Sequence, residues 1–205
     1  MVVGLGNPGA EYEASRHNVG FLAVEALAGR AGTALTRRRY HSLFARGVLR
    51  GEEVLLVKPL TFMNESGSSV SRWQQALGLA PGRIILIHDD LDSPTSLVRI
   101  RAGGGHGGHK GVRSVVEALG SADVVRVKVG IGRPRQGHDP VAHVLGRFAK
   151  AERDEIEGAV ERAADAVEAL LGDGLQAAMN RYNMRAARRQ GRADQEEGGE
   201  GNELI

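Results

Sequence analysis

The chain has no cysteine, which excludes disulfides, thiolate metal sites and a cysteine nucleophile. Aromatic residues make up only 4% of it, so any core must be built largely from Val, Ile, Leu and Ala. No apolar run approaches the ~18–20 residues needed to cross a bilayer, and a transmembrane helix is not expected. The first residues lack the basic-then-apolar layout of a signal peptide. No serine sits in a G-x-S-x-G elbow, so the serine-hydrolase nucleophile turn is missing too. Together these absences suit a cytoplasmic protein.

What is present is ordinary in amount and uneven in placement. The 205 residues, 41% hydrophobic and 25% charged, are enough for one globular domain with a sizeable core. The net charge of +2 conceals a split. Residues 1–150 hold 20 Lys and Arg against 12 Asp and Glu, whereas residues 151–205 hold 7 against 13. A body at +8 and an end at −6 is the distribution expected if the body meets a polyanion, although a solvated surface with a charged tail would also produce it.

Short β-rich runs alternate with longer amphipathic stretches, the pattern of a sheet covered by helices. Strands are expected at Val2–Leu5, Ser42–Leu49, Val54–Val57, Arg83–Ile87, Leu97–Arg101 and Val125–Ile131. Helices are expected at Asn18–Ala28, Ser66–Leu77, Val112–Leu119, Glu152–Leu171 and around Leu175–Tyr182. Gly78 and Gly120 are placed to end two of them. From Ala186 the chain is Arg, Gln, Gly and Glu with almost nothing to bury, so 186–205 reads as a disordered tail after a domain of 1–185. The polar or glycine-rich segments Gly4–Gly9, Lys58–Asn64, His88–Asp92 and Gly103–Gly111 each follow an expected strand. In open α/β sheets such loops converge on one crevice where ligands bind.

Gly4-Leu5-Gly6-Asn7-Pro8-Gly9 matches the dinucleotide pattern G-x-G-x-x-G, but its context fails. Pro8 removes an N–H from a loop that would have to donate N–H groups to phosphate. The acidic ribose ligand expected ~20 residues further on is also missing. Ser15-Arg16-His17-Asn18 offers a histidine at a helix start, which is more often a surface or capping residue unless a carboxylate lies beside it. His88-Asp89-Asp90-Leu91-Asp92 can supply that carboxylate from the end of a buried strand. With water as nucleophile, the pair would act as a general base for hydrolysis. The same acidic run could instead hold Mg²⁺ or another divalent ion, but alternation along a strand works against convergence.

In Lys58–Gly67, Asn64 or Ser66 is suited to cap the next helix, leaving the other to orient a carbonyl or stabilise an oxyanion. Ala102–Gly111 has six glycines in the nine positions from Gly103, with His106, His109 and Lys110 among them. Glycine lets the backbone approach a ligand closely. Arg99, Arg101, Arg113, Arg126, Lys128, Arg133 and Arg135 lie nearby in sequence and suggest a phosphate-reading surface.

Together these segments closely resemble the bacterial peptidyl-tRNA hydrolases over about residues 1–185. The resemblance is carried by Gly4–Gly9, Tyr12, Arg16–Gly20, Lys58–Pro59, Thr61–Asn64, Ser66–Gly67, His88–Asp92, the glycine loop, Gly130–Pro134 and Val144–Leu145, all in order. It implies a single-domain three-layer α/β/α sandwich with a central mixed, mostly parallel sheet. The implied reaction is hydrolysis of the ester between a peptide and the terminal ribose of tRNA. No cofactor, metal or membrane is implied, and the protein is expected to be monomeric.

By position, His17 resembles the base that activates water and Asp89 the acid that orients it, while Asn7 would discriminate N-blocked peptidyl esters from free aminoacyl ones. Asn64 would position the attacked carbonyl, and Tyr12 and Phe62 would contact the terminal nucleotide or the peptide. Gly107, His109 and Lys110 fall in the expected substrate-binding loop. Arg101 and Lys128 resemble the clamp for the tRNA 5′ phosphate. Three departures stand out: Lys110 replaces the usual Asn, Ser15 the usual Thr, and the chain begins a few residues late, leaving Met1 inside the first strand. A non-catalytic RNA-binding protein on the same fold is the alternative.

Overall fold

The computed structural model describes residues 1–134 and 136–184; Arg135 and the expected tail from Ala186 lie outside the described residues. Seven strands form one sheet in the order β2-β3-β4-β1-β5-β7-β6. They are β1 (Val2–Gly4), β2 (Arg37–Arg39), β3 (Ser42–Leu49), β4 (Glu52–Pro59), β5 (Ile85–Asp90), β6 (Val98–Ala102) and β7 (Val125–Gly130). The central strands β4, β1, β5 and β7 are mutually parallel, and β3 and β6 run against them. The sheet is therefore mixed, as expected, with a parallel centre and antiparallel pairings toward both edges.

Helices α1 (Val19–Arg30) and α5 (Arg153–Gly172) cover one face, where Val24, Leu27, Ile87, Val127 and Val167 interlock. Helices α2 (Ser66–Leu77) and α3 (Lys110–Leu119) cover the other, over Leu5, Val57, Trp73, Leu86 and Val115. Each fully buried aliphatic chain contributes roughly 1.5–3 kcal/mol. A short helix α4 (Pro140–Leu145), capped by Asp139, follows β7. A last helical segment occupies 175–184.

Two elements were not expected from sequence. Strand β2 is three arginines without apolar alternation, and its pairing with β3 is what makes it a strand. Helix α4 is too short to show a period. Strand β5 also runs further than expected, through His88, Asp89 and Asp90, so alternation rather than loop geometry decides where these side chains go. The expected side-chain cap of α2 does not form. A 3₁₀ turn at Met63–Glu65 leads directly into the helix, and the Ser66 hydroxyl donates back to the Met63 carbonyl at 2.9 Å. Asn64 is thereby free of capping duty.

The glycines of the first loop serve packing. A Cβ on Gly4 would lie 2.1 Å from the Gly20 carbonyl oxygen, and one on Gly20 would lie 2.4 Å from that of Ile87. Helix α1 thus rests on β1 and β5 through main-chain contact. These contacts account for Gly4 and Gly20 by packing.

Candidate active site

His17 lies in a 3₁₀ turn, Arg16–Asn18, that enters α1. Its neighbours fix it from both sides. The Arg16 guanidinium binds Glu152 at 2.7 and 3.0 Å, donates to the Arg147 carbonyl at 2.6 Å and lies over the Phe148 ring. The Asn18 amide accepts from the Asn7 N–H at 2.7 Å and donates to the Asn7 carbonyl at 2.9 Å. The imidazole between them is 9% exposed and reaches Asp89 Oδ1 through Nδ1 at 2.7 Å.

Asp89 is buried at the end of β5. Burial alone would raise its pKa, but His109 and His17 outweigh it and hold the carboxyl well below the usual range. An ionised carboxylate can only accept, so both ring nitrogens facing it carry protons. The second is Nε2 of His109, 2.9 Å from the same Oδ1.

The two histidines differ at their far nitrogens. His109 is the N-cap of α3, and its Nδ1 accepts the Val112 N–H at 3.2 Å. The lone pair of that nitrogen is taken up by the cap at the start of the helix. Nε2 of His17 has no partner among the described residues and faces a crevice of about 740 Å³. Burial, then the neighbouring His109, push His88 well below its ordinary pKa. Its Nδ1 donates to the Asp89 carbonyl at 2.7 Å, and its ring meets that of His109 edge-on at 4.6 Å.

Asn7 is oriented as tightly. Besides the two bonds to Asn18, its Oδ1 accepts the Met63 N–H at 2.8 Å, which aims Nδ2 away from Met63. Asn64, Phe62 and Tyr12 line the same crevice, with Phe62 54% exposed. Val141 and Leu145 of α4 add an exposed apolar wall opposite.

Gly107, His109 and Lys110 also line the crevice, with Lys110 in the first turn of α3. The basic residues expected on alternating strands share one face of β6 and β7, since Arg99 pairs with Lys128 and Arg101 with Arg126. They do not share one role. Arg126 is 3% exposed and donates to the carbonyls of Gly103, Gly104 and Gly105, so it is a strut for the glycine loop and not a phosphate reader. Arg101 is exposed at the crevice edge, and Lys128 is held by Asp90 at 3.0 Å.

The acidic run disperses. Asp89 meets histidines, Asp90 meets Lys128 and Ser93, and Asp92 meets Arg133. This removes the convergent acidic metal site considered above. Among the described residues, His17, Asp89 and His109 are the one group of three potential ligands within 4.8 Å of one another. A metal on Nε2 of His109 would move that ring's proton to Nδ1, against the Val112 N–H it now accepts. The donor set fits hydrogen bonding better than coordination.

The family model for peptidyl-tRNA hydrolase matches residues 1–191. The chain belongs to the peptidyl-tRNA hydrolase family. It is similar to the peptidyl-tRNA hydrolase of Frankia alni, 48% identical over 183 residues covering 89% of this chain and 93% of that one. The peptidyl-tRNA hydrolase of Syntrophotalea carbinolica is 43% identical over 185 residues, 90% and 97% of the two chains. Among solved structures, peptidyl-tRNA hydrolase from Acinetobacter baumannii superposes with a TM-score of 0.83 at 39% identity, covering 89% of this chain and 93% of that one. Family membership agrees with the resemblance read from the motifs and with the α/β fold. Reasoning from sequence had passed over Asn18, the Met63 N–H and Arg126 as supports of the site. The Arg-His-Asn run quoted for His17 was the one signal that could have led to Asn18.

Proposed function

We propose that this member of the peptidyl-tRNA hydrolase family cleaves the ester between a peptide and the terminal ribose of tRNA, with water activated by His17. The observation that carries the mechanism is the pair of imidazoles on one carboxylate oxygen, of which only His17 keeps a nitrogen free. His17 Nε2 takes a proton as water attacks the ester carbonyl carbon, and Asp89 stabilises the imidazolium that forms. The tetrahedral intermediate then expels the ribose oxygen, which recovers the proton from His17. The peptide acid releases its remaining proton to solvent, so a peptide carboxylate and a free tRNA hydroxyl remain.

Asn64 supplies an amide to the developing oxyanion, and Asn7 directs Nδ2 at the peptide carbonyl next to the ester. Phe62 and Tyr12 receive the terminal nucleotide or the first side chains. Arg101, Lys128 and Lys110 hold phosphate, with Lys128 exchanging Asp90 for the ligand. The protein acts in the cytoplasm as a monomer and needs no metal.

His17→Ala is expected to lower kcat by about 10²–10⁴ while tRNA affinity holds. Equal losses in binding and turnover would remove His17 from the chemistry. Release of N-acetyl-aminoacyl groups from tRNA, unchanged in EDTA, is the accompanying measurement. Activity abolished by the chelator would favour a metal on the histidine–aspartate group.

A further inference from the structure

The rim carries a second cationic sector that the proposed chemistry does not use. Strand β2 is Arg37-Arg38-Arg39, exposed throughout, and forms the outer edge of the sheet. Because Arg39 pairs with Ser42 and Ser42 with Pro59, the β2–β3 turn opens at the same end as the crevice. The Leu60 N–H bonds the His41 carbonyl at 2.7 Å, which ties this turn to the loop bearing Phe62. By a strand spacing of ~4.8 Å, β2 stands roughly 19 Å from β5 on one side, and β6 roughly 10 Å on the other.

Three features separate this sector from ordinary surface charge. First, among the described residues no carboxylate lies within ion-pair reach of Arg37, Arg38 or Arg39; single exposed arginines such as Arg46, Arg72 and Arg83 share that property, but here three such cations stand in a row. Second, two of the guanidiniums are stacked. Arg37 lies 4.8 Å over Phe44, and Arg39 lies 4.6 Å over Tyr40 and 5.9 Å from Trp73. Stacking fixes the plane of a guanidinium and leaves edge N–H groups for a phosphate. Third, the turn holds Tyr40 at φ 50° and His41 at φ 54°. Two side-chain-bearing residues in the left-handed region cost free energy where Asn-Gly would serve. Blunting a sheet edge needs a charge, but neither stacking nor a strained turn.

We propose that this arginine hairpin is a second binding surface for the phosphate backbone of the tRNA, beyond the acceptor end that enters the crevice. The inference rests on the tRNA reading above. An RNA backbone is favoured over an acidic protein because the proposed substrate already lies at this rim and carries a phosphate at every nucleotide leading up to its terminal ribose.

The test is the salt dependence of deacylated tRNA binding to the full chain, for wild type, Arg38→Gln and the triple variant Arg37→Gln/Arg38→Gln/Arg39→Gln. Each lost contact is expected to reduce the log–log slope by about 0.7–0.9, and the triple variant should bind about tenfold more weakly near 0.1 M salt. Binding of a CCA trinucleotide, too short to reach β2, should not change. An unchanged slope in both variants overturns the proposal. So does an effect seen only as the attached peptide lengthens, which would assign the hairpin to the peptide. Arg38→Gln keeps both stacked arginines and guards against loss of folding as the cause. Wild-type affinity that is independent of salt would instead sink the phosphate clamp on which the inference depends.

Discussion

The floor of the crevice and its wall are built on opposite principles. On the floor, His17, Asp89, His109, Asn7 and Asn18 are buried or nearly so and joined by hydrogen bonds of 2.7–2.9 Å. On the wall, Arg101 is exposed and Lys128 has one exchangeable partner. Proton transfer tolerates little displacement, and the proposed role of the floor groups in it agrees with their being fixed by one another. Phosphate attraction acts over several ångströms and suits side chains that can move to meet it. Loss of a floor group should therefore appear in turnover, and loss of a wall group in affinity and its dependence on salt.

The sharpest way to break that contrast is Asp89→Asn. An amide can offer an N–H where His17 Nδ1 needs an acceptor, and the wrong tautomer then leaves Nε2 protonated. A fall of about 10³–10⁴ in kcat is expected, with tRNA affinity little changed. The same variant reports on stability. Asp89 has a folded pKa below its unfolded value of 3.8, so its contribution is complete above that pH and fades as pH falls below it. Urea midpoints measured from pH 5 downward should decline less steeply in Asp89→Asn than in the wild type.

Asn18→Ala tests whether the floor depends on support outside the reacting groups. It leaves the buried N–H and carbonyl of Asn7 without partners, at a cost of about 2–4 kcal/mol read from denaturant unfolding. kcat should fall while the salt slope of tRNA binding holds. A normal kcat would mean that Asn7 needs no such fixing. The smallest effects belong to the wall. Arg101→Ala and Lys128→Ala should each weaken tRNA binding and lower the salt slope by about one, leaving kcat at saturation intact. A wall variant that lost kcat without losing affinity would merge the two regions.

The same division governs how much could be read in advance. Strands, helices and helix-ending glycines follow from local pattern, and most fell within a few residues of where they lie. Strand β2 was hidden because it exists only through its pairing with β3. The meeting of His17 with Asp89 was legible from one motif at a helix start and another at a strand end. The second histidine on Asp89 was not, because His109 stands 20 residues from Asp89 and meets it only through the docking of α3. Arg126 looked like its neighbours in sequence, and only its burial against three glycine carbonyls separates it from Arg101.

Main-chain contact between Gly4, Gly20 and the Ile87 carbonyl has a consequence for how the site tolerates change. At Gly4 and Gly20 the main chains of α1 and the sheet meet without a Cβ between them, so repacking elsewhere in the core has little leverage on the separation at this point. Sensitivity at this crossing falls on two residues that carry no chemistry at all. A single methyl group at either would lift the helix and part His17 from Asp89.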